Sequence, residues 1–137
     1  MRDTFLIFVG AGCGGVLRYW ISNICYWFLG RQFPYGTLIV NVSGCFLMGL
    51  LFALLIDKIG GIGPQLRSLL LIGLLGGYTT FSSFSIETLN LFENGALLAG
   101  ITNILLSIIL CLAATWLGVN SIIKHEHIVF WEAKAND

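Results

Sequence analysis

The fold is decided by the stretch GGYTTFSSFS, residues 76–85, which places two glycines and a run of hydroxyls inside an apolar segment. Adjacent glycines and hydroxyl side chains are poor material for an uninterrupted helix. Non-helical backbone at membrane depth is tolerated only where it is buried in protein or lines a polar cavity. The stretch therefore predicts one of two structures. Either the helix breaks in the middle of a membrane span, or a continuous helix uses its glycines for packing and bonds its hydroxyls to its own backbone.

Long apolar runs surround this stretch on both sides. The chain is 57% hydrophobic and only 10% charged, whereas soluble domains average about 25% charged residues. Each run exceeds the length of about 18 residues that indicates a membrane helix. The predicted spans cover residues 4–29, 35–56, 66–92 and 96–123. We predict an all-α membrane protein, with a four-span domain over residues 1–123 and a short polar tail over residues 124–137.

Charge in the connecting segments predicts the orientation of the chain. Four spans place both termini on one side, where most of the cationic residues also lie: Arg2, Lys58, Arg67, Lys124 and Lys134. On the opposite side, the only cationic residue in the connecting segments is Arg31. The positive-inside rule therefore favours cytoplasmic termini. The formal net charge is zero, which gives no basic surface for nucleic acid. The connection between the second and third spans is predicted from Asp57, Lys58, Gly60, Gly61, Gly63 and Pro64.

Glycine spacing predicts that the helices pack closely. Gly10 and Gly14 are spaced as G-x-x-x-G, and so are Gly73 and Gly77. Such pairs allow two helix backbones to approach each other. Four thin helices leave little room for a pore and its walls, so we expect a second copy of the chain to complete any pathway.

The four cysteines are predicted to act as small buried hydrophobes. They all lie in apolar runs and none belongs to a C-x-x-C pair: Cys13, Cys25, Cys45 and Cys111. A metal or redox site requires clustered ligands, and the sequence shows no such cluster.

Polar side chains inside the second and fourth spans predict a polar track. Asn41 lies in the middle of the second span, and Thr37, four residues earlier, shares its helix face. An asparagine there can either join helices by hydrogen bonds or offer its amide donors to an anion. The fourth span has a stripe of polar residues at i+4 spacing: Asn103, Ser107, Cys111 and Thr115. We interpret the stripe as one wall of the track, with helix–helix hydrogen bonding as the alternative.

Two charged residues lie well inside predicted spans, the acid Glu87 and the base Arg18. Intramembrane charges are costly and rare, and each is a functional hypothesis by default. Thr80, Phe84 and Glu87 share one helical face. Arg18 can pair with Glu87, attract anions at a pore mouth, or extend its side chain to the membrane surface.

These motifs resemble the CrcB/Fluc family of fluoride channels. The first matching piece is Gly14-Gly15 followed by Arg18-Tyr19, and the second is Gly36-Thr37-Leu38 with Asn41 and Gly44. The third and most specific piece is residues 76–84 with Glu87. The pieces occur in the family's order through three spans, and the fourth span matches mainly through its polar stripe.

The resemblance implies a fluoride-selective channel in the cell inner (plasma) membrane, which releases fluoride passively, confers resistance to fluoride and is not an enzyme. It implies an antiparallel, dual-topology homodimer whose third helix is broken mid-membrane and whose interface holds two pores. The implied fluoride pathway comprises Asn41, Phe81, Phe84, Thr37, Thr80, Ser82, Glu87, Asn103, Ser107, Cys111 and Thr115, with Arg18 in the vestibule. A structural sodium ion at the dimer centre would bind the backbone carbonyls of Gly76 and Thr79.

Two other functions compete with this interpretation. Proton-coupled small multidrug or guanidinium exporters are also short, four-spanning and dimeric, and Glu87 can supply the embedded carboxylate that they need. Such an exporter leaves the stretch at residues 76–81 without a role. A structural subunit of a larger membrane complex is the second alternative, and it predicts no ion flux from the purified protein.

Overall fold

Four apolar helical segments, each long enough to cross a membrane, make up the structure. The computed structural model describes the backbone of residues 1–57 and 63–135 and the side chains of residues 1–55 and 63–122. Within those residues all regular secondary structure is helical, which confirms the predicted all-α class. The candidate spans are Arg2–Leu29, Tyr35–Leu55, Gly63–Glu93 and Leu97–Ile122.

The third span is assembled from several helical pieces, whereas each of the other spans lies in a single helix. The single helices are α1 (Arg2–Leu29), α2 (Tyr35–Asp57) and α6 (Leu97–Ala135). The third span contains α3 (Gly63–Leu66), a π-helical segment (Arg67–Leu75), α4 (Gly76–Tyr78) and α5 (Phe81–Glu93). Thr79 and Thr80 separate the last two pieces, at the stretch that the sequence analysis singled out.

The helices extend beyond the ends predicted from sequence. α2 continues through Asp57, and α3 begins at Gly63 with Pro64 in its first turn. Proline suits that position because the first N–H groups of a helix have no intrahelical acceptor. The backbone of the predicted tail continues α6 as far as Ala135. Some residues of the predicted loop and tail lie outside the described part of the chain: Lys58, Gly60, Gly61, and the side chains of Lys124 and Lys134.

The outer surface of the helices is as apolar as their interior. The buried cluster is small and consists of Val40, Leu55, Leu71, Leu75 and Tyr78. Many large side chains point outward, among them Phe8, which is 75% exposed, and Leu98, which is 80% exposed. Exposing apolar area to water costs about 25 cal/mol per Å². The outer face is therefore suited to contact with lipid.

Glycines set the contact between α1 and the third span. Gly10 of α1 faces Gly73, and a Cβ atom added at Gly10 would lie 2.8 Å from the Leu74 nitrogen. A Cβ atom added at Gly14 would collide with the Leu74 carbonyl oxygen and lie 2.7 Å from the Tyr78 nitrogen. The two predicted G-x-x-x-G pairs thus belong to one close backbone contact, which positions α4 beside α1.

We expect Gly14→Ala to destabilise the protein, because its methyl group would meet backbone atoms that cannot turn away. Overpacking of this kind costs about 1–3 kcal/mol. Thermal unfolding followed by tryptophan fluorescence measures the loss. The matched control is Gly12→Ala on the same helix, where an added Cβ atom meets nothing within 4 Å. Equal melting temperatures for the two variants would contradict the close contact.

A second pair of glycines brings α2 against α6. A Cβ atom at Gly49 would collide with the Thr115 carbonyl oxygen, and one at Gly118 would collide with the Phe46 carbonyl oxygen. The two backbones therefore touch along this crossing. The Thr115 hydroxyl also donates across it to the Cys45 carbonyl oxygen at 3.3 Å. As a result, Thr115, the last residue of the α6 stripe, faces the second half of α2.

Candidate functional site

The third span loses its helical geometry at two consecutive threonines. Thr79 has φ −77° and ψ 156°, and Thr80 has φ −152° and ψ 119°, so both are extended. α2 accommodates this segment closely. A Cβ atom at Gly44 would meet the side chains of Thr79 and Tyr78, and the Tyr78 hydroxyl is hydrogen-bonded to the Ser43 hydroxyl at 2.9 Å.

Asn41 holds the extended segment by two hydrogen bonds to a single residue. Its amide nitrogen donates to the Thr80 carbonyl oxygen at 2.9 Å, and its amide oxygen accepts from the Thr80 N–H at 2.8 Å. The pair of bonds fixes which end of the amide is nitrogen. An unpaired buried backbone group costs about 1–3 kcal/mol, so Asn41 replaces the helix bond that the Thr80 N–H has lost and gives the Thr80 carbonyl oxygen a donor.

The hydroxyl of Thr80 begins the next helix. It accepts from the Ser83 N–H at 3.1 Å, which is the bond of an N-cap residue. In an unbroken helix the Thr80 and Ser83 N–H groups would donate to the carbonyls of Gly76 and Thr79. Here they donate to Asn41 and to the Thr80 side chain. The two carbonyls that the sequence analysis assigned to a cation have therefore lost their usual helical donors.

A groove of about 370 Å³ opens beside this segment. It brings together six residues of the predicted pathway from three spans. They are Asn41, Thr80, Phe81, Phe84, Ser107 and Cys111. The rings of Phe81 and Phe84 lie 5.3 Å apart between centroids and are tilted by 45°. Phe81 is 78% exposed, so the groove has one side without a wall in the single chain.

Glu87 lines a second pocket, with a volume of about 460 Å³. One Glu87 carboxylate oxygen accepts from the hydroxyls of Tyr26 and Thr37, each at 2.9 Å. The other carboxylate oxygen is buried and has no partner within the described residues. The Arg31 guanidinium lies 5.5 Å from the Tyr26 ring centroid and lines the same pocket.

Two members of this pocket were missed by the sequence analysis. Tyr26 lies in an apolar, aromatic run that gives no polar signal, and Arg31 was used only for its charge in predicting the orientation of the chain. The predicted vestibule residue Arg18 is half-buried on α1. The carboxylate that it was considered to pair with is instead bonded to two hydroxyls. The signal that could have identified Arg31 is its position as a single cationic residue in the short loop between α1 and α2.

The polar stripe of α6 divides into parts with different partners. Asn103 is buried and donates its amide to the Thr88 hydroxyl at 2.8 Å, while its amide oxygen has no partner among the described residues. Ser107 and Cys111 line the groove. Thr115 donates to the Cys111 carbonyl oxygen at 3.0 Å. The ends of the stripe thus join helices, and its middle faces the groove.

Ser82, another residue of the predicted pathway, lies in the first turn of α5, where its hydroxyl is hydrogen-bonded to the Thr80 hydroxyl at 3.0 Å.

Comparison with known proteins identifies the family of the chain. The family described as "CrcB-like protein, Camphor Resistance (CrcB)" matches residues 5–119. A protein of Coxiella burnetii (strain Dugway 5J108-111) named "Fluoride-specific ion channel FluC" is 56% identical over 117 residues, covering 85% of this chain and 94% of that protein. A protein of the same name from Shewanella amazonensis is 48% identical over 118 residues, covering 86% and 94%. Another from Methylococcus capsulatus is 52% identical and covers 85% of this chain and 50% of its own length.

The matched segment, residues 5–119, includes most of each of the four candidate spans and every residue of the groove. The four apolar helices and the family match together make this a multi-pass membrane protein. The resemblance drawn from residues 14–19, 36–44 and 76–87 is confirmed, and the chain belongs to the CrcB family.

Proposed function

We propose that this protein is a fluoride-selective ion channel that releases fluoride passively across the cell inner membrane and so confers resistance to fluoride. Relatives that are named fluoride-specific ion channels support the proposal. The observation that carries it is the groove, where the extended segment, two phenylalanine rings and the polar stripe meet. No step requires ATP or covalent chemistry, and the protein acts as a channel rather than an enzyme.

The groove offers weak, uncharged donors to a small anion. Fluoride must exchange its water for protein groups without being held too firmly to leave. The Asn41 amide has two N–H donors; one donates to the Thr80 carbonyl, which leaves the other for an ion. The Ser107 hydroxyl and the positive ring edges of Phe81 and Phe84 add further favourable contacts. None of these groups carries a full charge that would trap the ion.

The missing side of the groove is supplied, in this proposal, by a second copy of the chain. Phe81 is 78% exposed in the single chain, and an aromatic side chain beside an open groove is suited to an interface. An antiparallel, dual-topology homodimer places two such grooves symmetrically and forms two pores. The extended segment at Thr79 and Thr80 then lies in the middle of the membrane, as the sequence analysis predicted.

A structural sodium ion fits the carbonyls of Gly76 and Thr79. Sodium prefers oxygen ligands, and half-helix ends with unwound backbone supply such carbonyls in membrane proteins. Both carbonyls have lost their usual helical donors. When bound, the ion would supply positive charge that favours anion entry.

The pocket around Glu87 is the entrance to the pathway in this proposal. Arg31, which follows α1, and Arg18, which lies on α1, supply positive charge that concentrates anions at this entrance. The hydroxyls of Tyr26 and Thr37 are bonded to Glu87, and they can turn toward an ion when the carboxylate is neutralised or moves. Asn103, Ser107, Cys111 and Thr115 continue the polar track along α6.

Efflux from liposomes tests the proposed function. Purified protein is reconstituted in liposomes loaded with fluoride or with chloride, and each ion is followed by its own electrode. We expect fast fluoride efflux, little chloride efflux, and no dependence on an imposed proton gradient. Equal rates for the two anions, or no fluoride efflux, would overturn the proposal. Proton-coupled cation uptake that is lost in Glu87→Gln would instead support the exporter.

A further inference from the structure

Two cysteines that are far apart in the sequence meet in the groove. Cys45 lies on α2 and Cys111 on α6, and both line the groove beside the extended segment. Both are free thiols. The sequence analysis treated all four cysteines as isolated hydrophobes because none is close to another along the chain. The fold therefore creates a thiol pair that sequence spacing does not show.

The backbone around the pair is held by specific contacts. The Thr115 hydroxyl lies 3.0 Å from the Cys111 carbonyl oxygen and 3.3 Å from the Cys45 carbonyl oxygen, and donates to both. One turn beyond Cys45, Gly49 allows α2 to touch the α6 backbone. Thr115 and Gly49 thus hold the α2 and α6 backbones together at the level of the two cysteines.

Both thiols also line the groove, together with Asn41, Phe84 and Ser107. An ion held between the two sulfur atoms would therefore occupy part of the space that the proposed function assigns to fluoride. The other two cysteines are on α1, where Cys13 is exposed and Cys25 is half-buried. They do not line the groove.

Two thiols and no third ligand select a particular class of metal. Zinc sites need three or four side-chain ligands, and the described residues contain no such group of His, Cys, Asp or Glu. Soft thiolates instead favour soft cations such as Cu⁺. Cu⁺ and its chemical analogue Ag⁺ both accept two thiolates in a line, which is the number that this site offers.

We propose that Cys45 and Cys111 form a binding site for a soft monovalent cation, Cu⁺ or Ag⁺, and that the bound cation blocks the groove. Binding forms two metal–sulfur bonds and releases both thiol protons to water, with no change in oxidation state. The two thiolates and one cation leave a net charge of −1 beside the groove. That charge repels an anion strongly where water is scarce, so the metal blocks both by its volume and by electrostatics.

Metal binding is tested first, without reference to ion flux. The full chain is incubated with Ag⁺ in chloride-free nitrate buffer, desalted, and analysed for silver by mass spectrometry. We expect the double variant Cys13→Ala/Cys25→Ala, which keeps only the thiol pair, to retain about one Ag⁺ per chain. Adding Cys45→Ala to that double variant should weaken Ag⁺ binding about a hundredfold, because one thiolate replaces two. Cys45→Ser in the same background provides a second variant that preserves the size of the side chain.

The block is tested on fluoride efflux, and this part rests on the proposed function. Each variant is compared with its own efflux before Ag⁺ is added. In Cys13→Ala/Cys25→Ala we expect Ag⁺ to lower fluoride efflux by about tenfold or more, whereas Cys45→Ser should lose this sensitivity. Equal silver binding by the pair-retaining and Cys45 variants would overturn the site. Absence of fluoride efflux in every protein would instead contradict the proposed function, while the silver measurement would still decide the site.

Discussion

Phe84→Ile is expected to lower fluoride efflux by about a hundredfold, because isoleucine keeps the bulk of the side chain but has no positive ring edge. Phe84 lines the groove and packs at 5.3 Å from Phe81. A dehydrated anion at that point depends on every favourable contact, and each tenfold loss in rate corresponds to only about 1.4 kcal/mol. Phe81→Ile should have a similar effect for the same reason.

Efflux from liposomes at matched protein density measures the change, and size-exclusion chromatography checks that the variants remain folded and associated. The control is Phe52→Ile on α2, since Phe52 is 44% exposed and does not line the groove. It should retain the original rate. Unchanged efflux in both Phe81→Ile and Phe84→Ile would remove these rings from the pathway.

Asn41→Asp is expected to abolish fluoride efflux, although the two side chains have nearly the same shape. The amide nitrogen that donates to the Thr80 carbonyl at 2.9 Å would become an oxygen facing another oxygen. A buried acceptor left unpaired costs about 1–3 kcal/mol, and more if it is charged. The carboxylate would also repel an anion in the groove, where few water molecules screen the charge.

Efflux and thermal unfolding should therefore both change in Asn41→Asp. The matched control is Asn120→Asp, where the amide also donates to a backbone carbonyl, that of Trp116 at 2.8 Å, but at an exposed position in the last turn of the fourth span. We expect this control to keep its efflux and most of its stability. If Asn41→Asp conducted fluoride like the original protein, the two-bond contact with Thr80 would have no role in the pathway.

Apolar periodicity and glycine content predicted the helices because both are local properties of the chain. Runs of apolar residues define the four spans, and the G-x-x-x-G pairs at Gly10 and Gly73 identified a close contact. The composition of residues 76–80 likewise raised the possibility of an interruption. These features depend on neighbours within one or two turns, which a single sequence displays.

Contacts between helices could not be predicted, because they depend on how each helix is rotated and shifted against the next. The two bonds from Asn41 to Thr80 join α2 to the third span. The hydroxyls of Tyr26 on α1 and Thr37 on α2 both reach Glu87 on α5. Only the family resemblance connected Asn41 with the interrupted stretch, and it gave no indication of the thiol pair.

The bonds that satisfy Thr80 all come from the same chain, through Asn41 and the side chain of Thr80 itself. A newly made copy can therefore adopt its interrupted third span before it meets any other copy. In the proposed antiparallel dimer, biogenesis then separates into two events in time, because each molecule first settles in the bilayer with the N–H group of Thr80 already paired. Its proposed partner is found later by lateral diffusion, and neither molecule has to unfold in order to pair.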